Sequence, residues 1–110
     1  TETRGLIGER QLGLMKPAAV LVNTSRGPVV DEKALAATLS ARRIAGAGLD
    51  VFETEPLDAA SPLRKLENVV LSDHAGWYSE ESVPELKTKA ARNVAAVLTG
   101  GKPAYPVNTI

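Results

Sequence analysis

The sequence predicts an α/β protein built on a parallel sheet with flanking helices, and three observations carry that prediction. Three short apolar runs occur, Ala19 to Val22, Gly46 to Leu49 and Val69 to Leu71. They lack clear alternation, so they read as parallel strands buried on both faces. The stretch between the first two has helical spacing and that between the last two is loop-like. Each run also gives way to residues able to do chemistry. The first yields to Asn23-Thr24-Ser25-Arg26-Gly27, the second to Asp50 with Glu55-Pro56 beyond it, and the third to Ser72-Asp73-His74. Ligands of open α/β sheets lie beyond the carboxyl ends of the strands. Arg26, Asp50, Glu55 and His74 are therefore expected on one rim.

Taken in order, Thr1 to Gly8 is polar and turn-like, with no strand ahead of the first helix. A parallel α/β unit should open on a strand, so the chain reads as a piece of something longer. Glu9 to Met15 reads as a short helix, with Leu12 and Met15 at helical spacing after Gly8, a permissible N-cap. Lys16-Pro17 ends it, because the residue before proline avoids the α region. After the Val20 strand and the Arg26-Gly27-Pro28 turn, Asp31 is an N-cap for a helix from Glu32 to about Arg43. Ala34, Leu35, Thr38, Leu39 and Ile44 form its inward face, and Arg42 and Arg43 complement the negative end of its dipole. This helix makes a βαβ crossover to the second strand. Glu53 to Glu67, with Pro56 and Pro62, is loop-like and replaces a second crossover helix by something shorter or irregular. The longest helix falls within Ser79 to Thr99, where Leu86, Ala90, Val94 and Val97 recur at helical spacing. Its start has two readings. Ser82-Val83-Pro84-Glu85 matches a capping box, whereas a cap at Ser79 puts Pro84 past the first turn, where an amide is needed. An irregular first turn, or a start near Ser82, is favoured. Gly100-Gly101 followed by Pro103 stops the helix, and Lys102 to Ile110 reads as an extended strap.

At 110 residues the chain has a single-domain length, and 44% hydrophobic with 24% charged residues is an ordinary globular composition. Thirteen basic residues balance thirteen acidic ones, so nothing suggests nucleic acid or an anionic membrane as partner. No apolar run approaches the ~20 residues of a membrane span, and no secretory leader opens the chain. The absence of cysteine excludes disulfides and thiolate metal sites. No metal-ligand spacing is present, and the default compartment is the cytoplasm.

Each candidate residue has a chemical and a bland reading. His74 is the sole histidine, so imidazole acid/base work falls to it; its bland reading is structural. Glu55 is either a solvated loop carboxylate or a partner that fixes the tautomer of His74 and favours a protonated donor. Arg26 either caps carbonyls or offers a fork of donors matched to a carboxylate, which lysine does not imitate. Asp50 either binds a neighbouring turn or accepts a hydrogen bond from a ligand amide or amine. An acid, a base and an anion holder on one rim describe a small-molecule enzyme site.

Two stretches, Val22-Asn23-Thr24-Ser25-Arg26-Gly27-Pro28-Val29-Val30-Asp31-Glu32 and Ala45-Gly46-Ala47-Gly48-Leu49-Asp50-Val51-Phe52-Glu53-Thr54-Glu55-Pro56, resemble the signature of the D-isomer-specific 2-hydroxyacid dehydrogenases. Thr3-Arg4-Gly5-Leu6-Ile7-Gly8 and Leu14-Met15-Lys16-Pro17 fit the same pattern, so the match covers nearly the whole chain. The resemblance implies the second half of a Rossmann-type sheet, with residues 1–101 completing an NAD-binding domain and 102–110 returning toward a substrate domain. It implies that Arg26, Glu55 and His74 are catalytic. Asn23, Thr24, Ser25, Arg26, Asp50, His74 and Gly76 would line NAD(H) or NADP(H), with Asp50 by the nicotinamide. Arg26, His74 and Trp77 would meet a small 2-hydroxy or 2-oxo acid. A homodimer is implied for the full-length protein.

Two departures stand out. The residue before the histidine is usually proline in that family, and here it is Asp73, read as pointing to solvent. The following Ala75-Gly76-Trp77-Tyr78-Ser79-Glu80 is similar to the branch of the C-terminal binding protein corepressors. Trp77 there either lines the substrate pocket or packs under the long helix. The family's Gly-x-Gly-x-x-Gly turn and its ribose-binding acid have no counterpart here, since Gly46-Ala47-Gly48 lacks the third glycine and precedes no helix. The strand that would pair with the Val20 strand is also absent, leaving an apolar edge prone to association. The chain alone is therefore expected neither to bind NAD tightly nor to turn over substrate, which calorimetry checks. Two functions follow from the resemblance. One is the carboxy-terminal part of an oxidoreductase moving hydride between NAD(P)(H) and a 2-hydroxy/2-oxo acid. The other is a corepressor-like, NADH-sensing binding protein on the same scaffold.

Overall fold

The computed structural model describes residues 2–108. Strands β1 (Val20–Asn23), β2 (Gly46–Leu49) and β3 (Val69–Leu71) form a parallel sheet in the order β1-β2-β3. The register pairs Val22 with Gly48 and Leu49 with Leu71, so the three strands end side by side. Helices are α1 (Glu9–Gly13), α2 (Glu32–Ser40) and α3 (Ser82–Leu98), with 3-10 turns at Gly27–Val29 and Pro62–Lys65. The chain divides into two compact units, one ending at Gly76 and the other beginning at Trp77. No helix among the described residues is long and apolar enough to cross a membrane.

In the first unit, α2 connects β1 to β2 as the expected crossover. Asp31 caps it, accepting the Ala34 N–H at 2.9 Å. Leu35 and Leu39 are fully buried and pack with Leu12, Ile44, Ala47, Leu49, Phe52 and Leu63 in one core. The helix ends at Ser40, short of the expected Arg43. Arg42 takes a φ of +51°, Arg43 N–H bonds the Thr38 carbonyl and Arg42 N–H that of Leu39. That pattern is a Schellman stop, usually built on glycine. α1 opens at Gly8, whose N–H meets Gln11 Oε1 at 3.2 Å, half of a capping box. Before it, Ile7 makes an isolated parallel bridge to Val30.

The sheet departs from the expected burial on both faces. Ala47 and Leu49 point into the core, but the alternate residues Val20, Val22 and Val70 are exposed at 59, 68 and 73%. A continuous apolar run thus hides a period of two, because the helices that pack in this unit share the Ala47 side. β1 is an edge strand of this sheet, as expected.

The second unit is built on α3. The helix starts at Ser82, as favoured, but the capping differs from the Ser82–Glu85 box. Ser79 N–H donates to Ser82 Oγ at 2.8 Å and Ser82 N–H to Ser79 Oγ at 3.0 Å. The reciprocal pair is therefore Ser79 with Ser82, and Pro84 is the third helical residue, within the first turn, where a missing amide costs least. Gly100, at φ +81°, ends the helix, with Gly101 N–H on the Ala96 carbonyl at 2.7 Å. Residues 102–108 follow without regular structure, apart from Ala104 N–H on Asn93 Oδ1 at 3.0 Å. Thr109 and Ile110 of the expected strap, and Thr1 of the opening turn, lie outside the described residues.

Candidate active site

The sheet delivers its polar residues to one rim. Asp50 N–H donates to the Asn23 carbonyl and Ser72 N–H to the Leu49 carbonyl, each at 3.0 Å, so the three strand ends stay level. Beyond them the chain leaves β1 at Thr24, β2 at Asp50 and β3 at Ser72.

The central contact is between the loops after β2 and β3. Glu55 Oε2 lies 2.8 Å from His74 Nδ1, and Glu55 Oε1 accepts the Phe52 N–H at 3.0 Å. Glu55 therefore stands on its own loop while it reaches the imidazole. These bonds hold its carboxyl below the usual range. The His74 hydrogen bond is the largest cause and the Phe52 amide the next; burial opposes them, and the positive charges of His74 and Arg26 add to them. The peptide between Glu55 and Pro56 is cis.

The Glu55 loop is tied down at its start. Glu53 Oε1 accepts the Glu32 N–H at 3.1 Å, and Glu32 returns the bond to the Glu53 N–H. Gly27 makes a closer contact still. A Cβ at position 27 would lie 1.9 Å from the Phe52 carbonyl, so the loops after β1 and β2 meet backbone to backbone. Arg64, after the loop, donates to the carbonyls of Leu57 at 2.8 Å and Asp58 at 3.0 Å. A cleft of about 570 Å³ opens beside the pair, lined among others by Phe52, Leu57, Arg64, Leu71 and His74. Neither the Gly27 contact nor the Arg64 staple was visible in the sequence, where glycine in a turn and arginine in a loop are common.

Asp50 does what its bland reading described. Its side chain is buried at 5% exposure. Oδ1 accepts the Ser72 hydroxyl at 2.6 Å and the Ala75 N–H at 2.9 Å, and Oδ2 accepts the Gly76 N–H at 2.8 Å. The Ser72 hydroxyl is the chief cause holding this carboxyl below its usual range. The Gly76 amide comes next, burial opposes, and the Ala75 amide and the His74 charge add. Gly76 has no room for a side chain, since a Cβ would sit 2.8 Å from Asp50 Oδ2 and 3.7 Å from Thr24 Cγ2.

Asn23 is buried and spent on its own turn. Its Oδ1 accepts from the Ser25 N–H at 3.1 Å and the Ser25 hydroxyl at 3.0 Å, and its amide donates to the Arg26 carbonyl at 3.0 Å. The turn leaves Thr24, Ser25 and Arg26 exposed. The Arg26 guanidinium donates to the Ser25 carbonyl at 2.6 Å, and its charge is felt by Glu55. Arg26, Asp50, Glu55, His74, Thr24 and Gly76 thus gather at one end of the first unit. Trp77 opens the second unit, where its ring meets Tyr78 edge-on at 5.5 Å; its assignment to the substrate rests on the resemblance alone.

Known proteins resemble this chain in sequence and in fold. Residues 1–76 match the model of the D-isomer specific 2-hydroxyacid dehydrogenase, NAD binding domain. A glyoxylate reductase of Korarchaeum cryptofilum is 52% identical over 97% of this chain and 32% of its own length. The D-lactate dehydrogenase of Lactobacillus jensenii, solved with NAD+, superposes with a TM-score of 0.82 at 28% identity, over 98% of this chain and 36% of that one. An acyclic imino acid reductase solved with NADPH and D-Arg superposes at 0.86 with 38% identity, over 100% and 34%. The chain therefore spans about a third of the length of the relatives it matches. On the strength of the match over residues 1–76, this chain belongs to the D-isomer specific 2-hydroxyacid dehydrogenase family.

Proposed function

We propose that the full-length protein carrying this chain interconverts a small 2-oxo acid and its 2-hydroxy acid, using NAD(H) or NADP(H). The observation that carries this reading is the 2.8 Å contact between His74 Nδ1 and Glu55 Oε2, with the Arg26 charge beside it. Arg26 offers a planar fork to the substrate carboxylate and orients the acid. Glu55 holds Nδ1 and gives the positive ring a partner, so Nε2 is the atom that hands a proton to the carbonyl oxygen, or takes it back in oxidation. Hydride transfer is the chemistry that the bound dinucleotide supplies.

The rim fits a nicotinamide. Asp50 Oδ2 accepts the Gly76 N–H and keeps a second lone pair for a carboxamide. The side-chain-free Gly76 lets its backbone lie close against Asp50 and Thr24. Thr24, Ser25 and Arg26 supply the wall on the β1 side. The relatives support a small acid substrate, one of them being named a glyoxylate reductase. By family resemblance the reading includes a homodimer in the cytoplasm. The corepressor-like alternative draws no support from these relatives.

A panel of 2-oxo acids, including glyoxylate, hydroxypyruvate and pyruvate, offered to the full-length protein with NADH and with NADPH tests the reading. Nucleotide oxidation with at least one acid is expected. No oxidation with any acid and either nucleotide overturns it.

A further inference from the structure

We propose that Ser72 is a positioning residue of the proton-transfer site, holding His74 in place through the Asp50 carboxylate; this rests on the function proposed above.

The argument starts from the backbone. His74 has a φ of +60°, in the left-handed region that side-chain-bearing residues occupy only with support from their surroundings. Asp50 provides the support. Its buried carboxylate holds the chain on both sides of His74, taking the Ser72 hydroxyl from before it and the Ala75 and Gly76 amides from after it. Returning His74 to negative φ would swing those two amides away from the carboxylate. With φ held at +60°, the imidazole points to Glu55 at 2.8 Å.

Among these three donors, Ser72 is the one carried by a side chain, so it alone can be removed without touching the backbone. It is itself well fixed, because its N–H donates to the Leu49 carbonyl at 3.0 Å. Its hydroxyl bonds the ionised carboxylate at 2.6 Å, a charge-assisted hydrogen bond. Without that hydroxyl, the carboxylate keeps only the Ala75 amide on Oδ1 and the Gly76 amide on Oδ2, and it loses its one tie to the segment before His74. The amides then lose their alignment, and the imidazole loses its aim. Gly76 fits the same design, since any side chain there would meet Oδ2 at 2.8 Å and push the clamp apart.

The experiment compares full-length wild type with Ser72→Ala, Ser72→Thr and Ser72→Cys. A misplacement of ~1 Å costs up to ~100-fold in rate, and Ser72→Ala is expected to lower kcat by about tenfold or more. KM for the 2-oxo acid should move by less than about threefold, so the loss falls on kcat. Ser72→Thr, which keeps the hydroxyl, should stay within about threefold of wild type. Ser72→Cys keeps the volume but donates weakly, and serves if Ser72→Ala does not fold. In the crystal structure of the impaired variant, His74 Nδ1 should lie beyond hydrogen-bond reach of Glu55 Oε2. A kcat within about twofold of wild type, or a variant structure that keeps the 2.8 Å contact, overturns the proposal. If wild type reduces no 2-oxo acid, the proposed function falls, and the variant structure alone then decides whether Ser72 positions His74.

Discussion

Replacing Gly27 with alanine tests how the site is assembled. A Cβ there would lie 1.9 Å from the carbonyl carbon and oxygen of Phe52 and 2.5 Å from Glu53 N. Both neighbours are backbone, so no side chain can swing aside. Overpacking costs about 1–3 kcal/mol in well-packed sites, and a backbone clash belongs near 3 kcal/mol on that scale. With a urea dependence of about 2 kcal/mol per molar for a small protein, the unfolding midpoint should fall by about 1.5 M. The displaced residue is the one whose N–H holds Glu55 Oε1, so the Glu55–His74 contact should loosen as well. Gly13→Ala is the control, because its nearest heavy atom is the mobile end of Arg43 at 3.5 Å. It should stay within about 1 kcal/mol of wild type or gain stability. Urea unfolding followed by circular dichroism reads both. A Gly27→Ala midpoint equal to that of Gly13→Ala would refute the claim that the two loops meet through this glycine.

Further outcomes follow from the same contacts. Asp31→Ala removes the cap that receives the Ala34 amide at 2.9 Å, and should cost about 1 kcal/mol in the same unfolding assay; Asp31→Ser should recover most of it. Acid should destabilise the fold through Glu55. Its folded pKa lies below the ordinary 4.5, so its contribution is complete above that pH and is lost as pH falls through the lower folded value. Melting temperatures taken from pH 7 down to pH 3 should therefore fall less steeply in Glu55→Gln than in wild type, and parallel curves would contradict the assignment.

The strands and the rim were legible because their signals are local. Ala19 to Val22, Gly46 to Leu49 and Val69 to Leu71 are apolar runs of strand length, and β1, β2 and β3 lie where they do. Asp31 announced its helix by residue type alone. The helix end was not legible: α3 stops on Gly100, as its sequence says, but α2 stops on Arg42 in the same left-handed geometry, with no glycine to mark it. In the sequence, the pairing of Glu55 with His74 is one of two readings, and the distance selects it. The Asp50 clamp appeared only as a bland alternative. Its partners lie 22 to 26 residues away, and two of them are amides, which every residue type except proline carries. Gly27 and the left-handed His74 depend on how loops from different strands meet, which no local pattern encodes. The exposed Val20, Val22 and Val70 misled for the opposite reason, since an apolar residue does not say which face is covered.

The most direct test of the central claim, that His74 held by Glu55 moves the proton, is single-turnover reduction of the preferred 2-oxo acid by the full-length His74→Ala protein loaded with reduced nucleotide. Acid/base groups contribute about 10²–10⁴ in rate, so the rate should fall by about that factor while the nucleotide dissociation constant stays at the wild-type value. A His74→Ala protein that reduces the acid at the wild-type rate would contradict the account.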